Sequence, residues 1–273
     1  MGILSHRGTS LPRPSLTGVY SFMYEQLAHL YDWPGSLEFT ENILARDLAV
    51  FKAEGIAPPA SIVDLACGTG TLALALAQSG YKTTGLDIST GMITQAKRKQ
   101  VERDPEFKIP ACFAEGDMRY FLLDDPVEVI VCHYDSLNHL SNETELRGTF
   151  IQVAQALKPG GLFLFDLNTL ENYQTYWNGR DTYEGPNYRL RTTSTFEEAQ
   201  SKASVQFMVD EYNDEGELLS RSETVYEQYF NETAVEKYLM AAGFVDVRYE
   251  AFNPVNDLPE DFPLKTFWQC KRP

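Results

Sequence analysis

The sequence lacks any uninterrupted apolar stretch approaching the roughly 20 residues that a membrane-spanning helix needs. Its first 14 residues contain Ser, Arg, Pro and Gly but no apolar core long enough for a signal peptide. Core-forming residues are not scarce, since 43% of the 273 residues are hydrophobic and 12% are aromatic. We therefore expect a folded cytoplasmic protein that does not enter a membrane, and we exclude a disordered one.

Cysteine is scarce, and the four cysteines do not form any paired motif. They show neither Cys-x-x-Cys spacing nor histidines at metal-binding spacing, and three of them lie in or beside apolar runs: the set is Cys67, Cys112, Cys132 and Cys270. This distribution excludes a disulfide framework and a zinc site. It predicts buried free thiols in a reducing compartment, and we expect no metal site.

Positively charged residues are also scarce. The chain has 23 Lys and Arg against 39 Asp and Glu, a formal net charge of −16, which repels nucleic-acid phosphates and anionic membranes. The densest basic cluster, Lys97, Arg98 and Lys99, ends an apolar helical pattern, where cations complement the helix dipole. We expect no nucleic-acid partner, a small-molecule partner, and a monomer or a homodimer.

Apolar residues recur first at helical spacing and then in short runs. Helical patterns at residues 20–31 and 37–51 precede Pro58 and Pro59. From Ser61 onward, short apolar runs alternate with amphipathic stretches, which indicates βαβ units around a parallel sheet. The predicted strands are 61–66, 83–87, 111–114, 127–133 and 161–167, and the predicted helices are 71–79, 90–102 and 143–157.

This alternation stops after Asn168. Residues 187–230 show period-two patterns, with a turn signal at 213–216, and so predict an antiparallel insertion. A helix at 232–242 and strands at 245–252 and 265–270 follow. The fold class is α/β, a seven-stranded mostly parallel sheet with helices on both faces plus the inserted antiparallel segment. The predicted divisions are an arm and capping helices (1–57), a core (58–185), the insertion (186–230) and the end of the core (231–273).

The strongest local signal is the segment VDLACGTG at residues 63–70, a strand that runs into a glycine turn and then an apolar helix. Gly68 and Gly70 permit positive φ angles and allow a ligand to approach the backbone N–H groups where the helix begins. Together with Ala73 they also satisfy the G-x-G-x-x-G/A dinucleotide pattern. The motif alone therefore does not distinguish between adenosyl cofactors.

Acidic residues follow the next two strands. Asp87 lies about 20 residues beyond the glycines, where a carboxylate accepts hydrogen bonds from ribose hydroxyls. The alternative role, a helix N-cap, can be filled by Ser89 or Thr90. Asp117 and Met118 follow the third strand, where a polar and an apolar residue can hold the edge and the face of adenine. A dehydrogenase needs no such pair there, so the combination favours a methyltransferase.

Taken together, these residues resemble the small-molecule branch of the class I S-adenosylmethionine-dependent methyltransferases, which have a Rossmann-like core. The resemblance extends from about Tyr24 to the end of the chain. Besides the glycine motif, Asp87 and the Asp117–Met118 pair, it is carried by YEQLAHLYD at 24–32, DSLN at 135–138 and FDLN at 165–168.

The resemblance implies S-adenosylmethionine as the cofactor and a role for each motif residue. It places Gly68 and Gly70 under the methionine part, Asp87 at the ribose, and Asp117 with Met118 around adenine. Further cofactor contacts are expected from Ala66, Cys67, Ile88, Met92 and His133, of which the last has a buried core position as its alternative.

Three more residues are assigned to the cofactor on the same basis. The resemblance implies that Asp64 acts near the amino group of the cofactor, either directly or through water, and a buried carboxylate there would gain the paired charge it requires. Its alternative role is to tie down the following loop. Tyr24 and Tyr31 are seven residues apart, two turns along one helix face. They form either a core stripe or an aromatic wall beside the sulfonium, where cation–π attraction is favourable.

Methyl transfer from a sulfonium requires alignment and exclusion of water but no protein nucleophile. The absence of a Gly-x-Ser-x-Gly elbow and of a His-Glu-x-x-His motif agrees with this. The segment HYDSLNH at 133–139 follows the fourth strand, at the edge where ligands bind. Tyr134 and Asp135 are the candidate catalytic residues, and His139 is equally compatible with exposure to solvent.

The functional hypothesis is a methyltransferase that moves a methyl group to N or O of a small soluble acceptor by in-line displacement. The insertion at 186–230 is then a lid over the acceptor pocket, although solvated or dimer-forming strands are an equal alternative. Two other functions remain open: an NAD(P)-dependent oxidoreductase, supported by Gly68, Gly70 and Ala73, and a cofactor-binding regulatory module without turnover.

Overall fold

The computed structural model describes residues 24–25, 27–32, 34–106, 108–213, 215–253 and 264–273. The predicted arm, and the part of the first predicted helix before Tyr24, lie outside these residues. The helices are α1 (Pro34–Ala53), α2 (Thr71–Gln78), α3 (Thr90–Arg103), α4 (Glu143–Ala156), α5 (Leu170–Tyr176) and α6 (Glu232–Ala241). The strands are β1 (Ser61–Leu65), β2 (Lys82–Asp87), β3 (Ala111–Glu115), β4 (Val127–Cys132), β5 (Leu157–Asn168), β6 (Gly179–Glu184), β7 (Tyr188–Glu197), β8 (Lys202–Tyr212), β9 (Leu218–Gln228), β10 (Val245–Phe252) and β11 (Lys265–Lys271).

Seven strands form the larger sheet, in the order β10-β11-β5-β4-β1-β2-β3. Strands β1 to β5 pair in parallel, and β11 joins β5 antiparallel, followed by β10. The chain moves outward from β1 in both directions, so a crevice opens between the carboxyl ends of β1 and β4, where ligands bind in open α/β sheets. The predicted fold class is confirmed.

Helices cover both faces of this sheet because each strand presents apolar side chains to both sides. On one face, Phe150 of α4 and Leu239 of α6 pack against Phe163 of β5. On the other, Ile43 of α1 and Leu76 of α2 belong to the core cluster that includes alternate residues of β1, β4 and β5. The sheet is therefore a rigid platform, and its carboxyl edge can hold side chains in fixed positions.

The insertion is a four-stranded antiparallel sheet in the order β6-β7-β8-β9. It begins at Gly179, earlier than the period-two pattern indicates, because β6 is exposed along its whole length and has no apolar alternation to reveal it. The segment 213–216, in which a turn was predicted, connects β8 and β9, and these two strands pair antiparallel. Leu190 and Val209 face inward and pack with Leu27, so the small sheet contacts the chain segment that precedes α1.

The predicted helix over residues 20–31 is wrong for its described part. Tyr24 has a φ of +59°, in the left-handed region, and only a 3-10 turn at Ala28–Leu30 follows. Periodic spacing predicted a continuous helix, but these side chains pack against the small sheet instead of lying on one helix face. The core elements deviate less from their predicted bounds, with β1 ending at Leu65 because Ala66 takes a φ of +60°.

The prediction that all cysteines are buried is also wrong in part. Cys132 and Cys270 are buried, but Cys67 is half-buried and Cys112 is exposed. Cys112 lies on β3, the edge strand of the larger sheet, which no neighbour covers on its outer side. Within the described ranges, no helix has the length and apolar character needed to cross a membrane, and no group of three or more His, Cys, Asp or Glu is placed to hold a metal.

Candidate active site

A cleft opens at the carboxyl ends of β1, β2 and β4, at the crevice that the strand order creates. The residues around it come from the segment before α1, from α1, from the glycine turn and from the loop after β4. Twelve of the predicted site residues line it: Tyr24, Tyr31, Asp64, Ala66, Cys67, Gly68, Asp87, Ile88, Met92, Met118, His133 and Tyr134. The other three, Gly70, Asp117 and Asp135, do not.

The two motif glycines have different roles in the structure. Gly68 has a φ of +54°, and a Cβ atom there would meet only Cε1 of Tyr31, at 3.9 Å, so its side of the cleft is open. Gly70 has a φ of +74°, and a Cβ atom there would lie 2.5 Å from the ring of Phe113 and 2.9 Å from Ala96. Gly68 therefore leaves room for a ligand, while Gly70 allows α2 and α3 to pack closely.

Asp87 ends β2 and is 8% exposed. Its two oxygens accept hydrogen bonds from the backbone N–H groups of Gly68 (2.8 Å) and Ser89 (2.9 Å). Ser89 also caps α3 through its hydroxyl, which accepts from the N–H of Met92, so the N-cap role does not fall to Asp87. Burial raises the pKa of Asp87 to about 6, although these N–H groups oppose the shift. Each carboxylate oxygen retains a lone pair for a ribose hydroxyl.

Asp64 of β1 carries the clearest sign of a missing cation. It is 3% exposed, lines the cleft, and its Oδ2 makes no hydrogen bond to any described residue. Burial raises its pKa to about 7, against the attraction of His133. A buried carboxylate without a partner is costly, and an ammonium group in the cleft would satisfy it. With the open side of Gly68 and the buried carboxylate of Asp87 on the same cleft, the residues present fit S-adenosylmethionine.

A second cavity of about 420 Å³ adjoins the first near Ile88 and Met118. Asp117 lines it, but its carboxylate is held by Arg119, whose Nε and Nη2 donate to it at 2.6 to 3.1 Å. Arg119 also donates to Glu145 of α4 at 3.1 Å. The bidentate pairing fixes the position of the Asp117 carboxylate in the wall of this second cavity.

The segment before α1 covers the cleft; we call residues 24–25 and 27–32 the covering segment. Its Tyr24 and Tyr31 lie edge to face with ring centroids 5.3 Å apart, and burial raises the pKa of both phenols. Asp32 forms an ion pair with Lys99 of α3 at 2.7 Å and accepts from Thr69 at 2.6 Å. The covering segment is thus attached directly to the glycine turn.

His133 is buried, 2% exposed, between two carboxylates. Its Nε2 lies 3.1 Å from Asp47 of α1, and its Nδ1 lies 3.3 Å from Asp166 of β5. Burial alone would lower the pKa of the imidazole, but the two carboxylates outweigh it and raise that pKa to about 10. His133 is therefore an imidazolium that links α1, β4 and β5, with one edge on the cleft.

The two candidate catalytic residues follow His133 and both have left-handed backbone conformations, with φ of +61° for Tyr134 and +51° for Asp135. The Tyr134 hydroxyl is hydrogen-bonded to Thr40 of α1, and burial keeps the phenol protonated by raising its pKa. Asp135 accepts a hydrogen bond from Asn168 at 2.6 Å and pairs with Lys265 at 3.2 Å. Tyr134 therefore faces the cleft, while the Asp135 carboxylate turns toward the end of β5.

His139 is the functional candidate that the sequence left open. It lines both cavities, and its Nδ1 lies 3.0 Å from the carbonyl oxygen of Tyr226 on β9. A carbonyl only accepts, so Nδ1 carries the proton and Nε2 holds a lone pair. Burial lowers the pKa of His139 below its ordinary value of 6.5, so the ring is neutral at pH 7. A neutral imidazole with a free lone pair is suited to accept a proton.

Sequence reasoning missed residues that reach the site only through the fold. Polar cleft residues outside the predicted set are Asp32, Thr40, Thr69, Thr71, Ser136 and His139. The DSLN and FDLN motifs drew attention to two of the segments concerned, but no periodicity or spacing indicated Glu227, a buried carboxylate on β9. It accepts from Tyr173 at 2.6 Å and Asn168 at 2.9 Å and thereby connects the small sheet to β5.

Comparison with known proteins agrees with this geometry. Residues 62–161, which include the glycine turn, Asp87 and Asp117, match the family model described as a methyltransferase domain. A dTDP-3-amino-3,6-dideoxy-alpha-D-glucopyranose N,N-dimethyltransferase of Streptomyces fradiae is 32% identical over 122 residues, 45% of each protein. The chain spans about half the length of the curated relatives it matches.

Solved structures show the same fold over most of the chain. An S-adenosylmethionine-dependent methyltransferase from Clostridium acetobutylicum superposes with a TM-score of 0.71 at 22% identity, over 91% of this chain and 96% of that one. DesVI of Streptomyces venezuelae gives a TM-score of 0.64 at 24% identity, over 84% and 90%. Residues 62–161 therefore resemble a methyltransferase domain, and the chain shares the Rossmann-like fold of S-adenosylmethionine-dependent methyltransferases.

Proposed function

We propose that this protein transfers a methyl group from S-adenosylmethionine to a nitrogen or oxygen atom of a small soluble acceptor by in-line displacement. The observation that carries the proposal is the cleft that brings together the Asp64 carboxylate, whose Oδ2 has no partner among the described residues, the open side of Gly68 and the Asp87 carboxylate. All three belong to the segment that matches methyltransferases. The cofactor, when bound, supplies a methyl group activated by a positively charged sulfur.

In this proposal, residues of the chain bind and orient the cofactor and exclude water from the cleft. Asp64 holds the ammonium and Asp87 the ribose, while Asp117 and Met118 contact adenine. Tyr24 and Tyr31 cover the cleft with aromatic rings, which remove water and face positive charge favourably. In-line attack gains most of its rate from such alignment, so no covalent protein intermediate is needed.

An acceptor that arrives as an ammonium or a hydroxyl must lose a proton. We assign this task to His139, because its Nε2 lone pair and lowered pKa suit a base at neutral pH. Tyr134 lines the cleft and remains a candidate for contact with the acceptor, whereas Asp135, whose carboxylate pairs with Asn168 and Lys265, does not line it. The small antiparallel sheet forms one side of the acceptor pocket in this arrangement, since its β9 carbonyl at Tyr226 orients His139.

Nitrogen is the favoured acceptor atom. Relatives and fold neighbours include amino-sugar N,N-dimethyltransferases of Streptomyces and the glycopeptide N-methyltransferase MtfA. The net charge of −16 makes nucleic acid a poor partner and favours a small molecule. We further propose that the protein is cytoplasmic, does not associate with membranes and is a monomer or a homodimer.

Two measurements test the proposal. Calorimetric titration with S-adenosylmethionine and S-adenosylhomocysteine should show binding, and Asp87→Ala should weaken it by about 1 to 3 kcal/mol through lost buried hydrogen bonds. Transfer of labelled methyl to a panel of dTDP-amino sugars, glycine and glycopeptides should then yield a methylated product. Absence of binding to either ligand would overturn the proposal, and binding without turnover on any acceptor would favour the regulatory module.

A further inference from the structure

The carboxylate of Asp166 holds the turn that follows β4. Asp166 lies on β5 and is completely buried. Its Oδ1 accepts a hydrogen bond from the backbone N–H of Tyr134 at 2.7 Å, and its Oδ2 accepts from the N–H of Asp135 at 2.9 Å. Both residues are in the left-handed conformation, which costs energy for a residue with a side chain. One carboxylate on the neighbouring strand thus stabilises two consecutive strained residues.

Two buried cations keep this carboxylate charged. Lys265 of β11 lies 2.9 Å from Oδ2, and His133 lies 3.3 Å from Oδ1. Burial opposes the charge of Asp166, but these two cations outweigh it and hold the pKa at about 2. The charged form strengthens both backbone hydrogen bonds. Asp47, on the far side of His133, balances the imidazolium.

The turn determines where His139 lies. Asp135 is the residue that precedes the 3-10 helix Ser136–His139, and its carbonyl accepts from the N–H of Asn138 at 2.7 Å. A change in the backbone at 134 and 135 therefore rotates this short helix and displaces the imidazole at its end. A base must lie within hydrogen-bond reach of the proton it accepts, so a shift of about 1 Å is costly.

We propose that Asp166 is a positioning residue for methyl transfer: it fixes the left-handed turn at Tyr134 and Asp135 and so places His139 against the acceptor. The expected effect on catalysis rests on the proposed function. The expected effect of Asp166 on the turn does not depend on it. Asp166 is not among the residues that line the cleft, and in this proposal it acts through the segment that follows β4.

The test compares Asp166→Asn with Asp47→Asn, an equally buried carboxylate on the same imidazolium. Hydrogen–deuterium exchange of the peptide containing residues 134 and 135 should be about tenfold faster or more in Asp166→Asn, because a charged acceptor is lost from both amides. Asp47→Asn should leave that exchange within about threefold while lowering the melting temperature. Unchanged exchange in Asp166→Asn, or equal acceleration in both variants, would overturn the inference.

Kinetics with the acceptor found in the panel provide the second readout. Asp166→Asn should lower kcat at least tenfold while leaving the Kd for S-adenosylhomocysteine within about threefold, since a misplaced base weakens catalysis more than cofactor binding. Asp47→Asn should keep kcat within about threefold. A wild-type kcat in Asp166→Asn, or an equal loss in Asp47→Asn, would reduce Asp166 to a general structural role and defeat the inference.

Two further outcomes remain informative. If Asp166→Asn does not fold, Asp166→Glu replaces it in the test, since it keeps the negative charge beside His133 and Lys265 but moves the carboxylate oxygens by one methylene. Faster exchange and a lowered kcat are still expected. Wild-type values for both would contradict the inference. If no acceptor in the panel is methylated, the proposed function fails, while the exchange measurement still decides whether Asp166 holds the turn.

Discussion

The backbone N–H of Gly68 donates a 2.8 Å hydrogen bond to the carboxylate of Asp87. This contact joins the glycine turn after β1 to the acidic end of β2, two motifs that lie 19 residues apart in the sequence. The same carboxylate therefore shapes the turn and faces the cleft. Because the two features are coupled, this side of the proposed cofactor site is already ordered by the protein, which lowers the ordering cost of binding.

The first prediction concerns the pH dependence that Asp64 confers. The folded pKa is about 7 and the ordinary value is 3.8, so the folded chain retains a proton that the unfolded chain loses as the pH rises between these values. The free energy of unfolding therefore falls over that range. Affinity for S-adenosylmethionine should increase over pH 5 to 7, since an ammonium binds the ionised form.

Asp64→Asn is the variant that checks this dependence. It should abolish the component of the affinity profile centred near pH 7 and leave the component near pH 6 that comes from Asp87, whose pKa is about 6. Calorimetric titrations at a series of pH values measure both components. An identical profile for the variant and the native protein would show that Asp64 does not pair with the ammonium.

Alanine at the two motif glycines should give opposite results. Gly68→Ala should lower the free energy of unfolding by about 1 to 2 kcal/mol, the cost of an alanine in the left-handed conformation. It should weaken S-adenosylhomocysteine binding strongly, because the alanine methyl group would project into the open side of the cleft. Gly70→Ala should cost more stability, about 2 to 5 kcal/mol, because its Cβ atom overlaps Phe113. Chemical denaturation measures the stability of both variants and calorimetry measures their ligand binding. A larger loss of stability in Gly68→Ala than in Gly70→Ala would refute the roles given to the two glycines.

Lys99→Met should loosen the covering segment. The ion pair of Lys99 with Asp32 is partly buried, so its loss should raise the Kd for S-adenosylhomocysteine about three- to tenfold, equivalent to about 1 kcal/mol. Faster ligand dissociation in stopped-flow measurements is expected to account for the change. Lys97→Met, on the exposed side of the same helix, serves as the control and should leave the Kd unaltered.

His139→Gln should reduce turnover by about 10² to 10⁴, the usual contribution of a positioned base, with little change in cofactor affinity. In the native protein kcat should fall as the pH drops through a value below 6.5, because burial lowers the pKa of His139 and only the neutral ring accepts a proton. His29→Gln, a histidine of the covering segment that does not line the cleft, should keep the native profile. Equal activity of both variants would exclude His139 as the base.

The central sheet and the cofactor half of the cleft were predictable because both depend on local pattern. Alternating apolar runs define buried strands, and a glycine turn or a strand-end carboxylate is visible within a few residues of sequence. Parallel strands align at one edge, so Gly68 and Asp87 had to approach each other once the topology was recognised. Tyr24 and Tyr31 do line the cleft, although the helix expected to carry them is absent from the described residues.

What the sequence by itself determined is the α/β order of elements, the glycine bend and the acids beside it, since each follows from spacing along the chain. Only the tertiary structure decided that Gly70 serves packing, that His139 is neutral with a free lone pair, and that Asp166, His133 and Lys265 form one buried charge network. Those properties depend on atoms brought together from residues 26 to 99 positions apart, and no local pattern encodes such a distance or the burial that shifts a pKa.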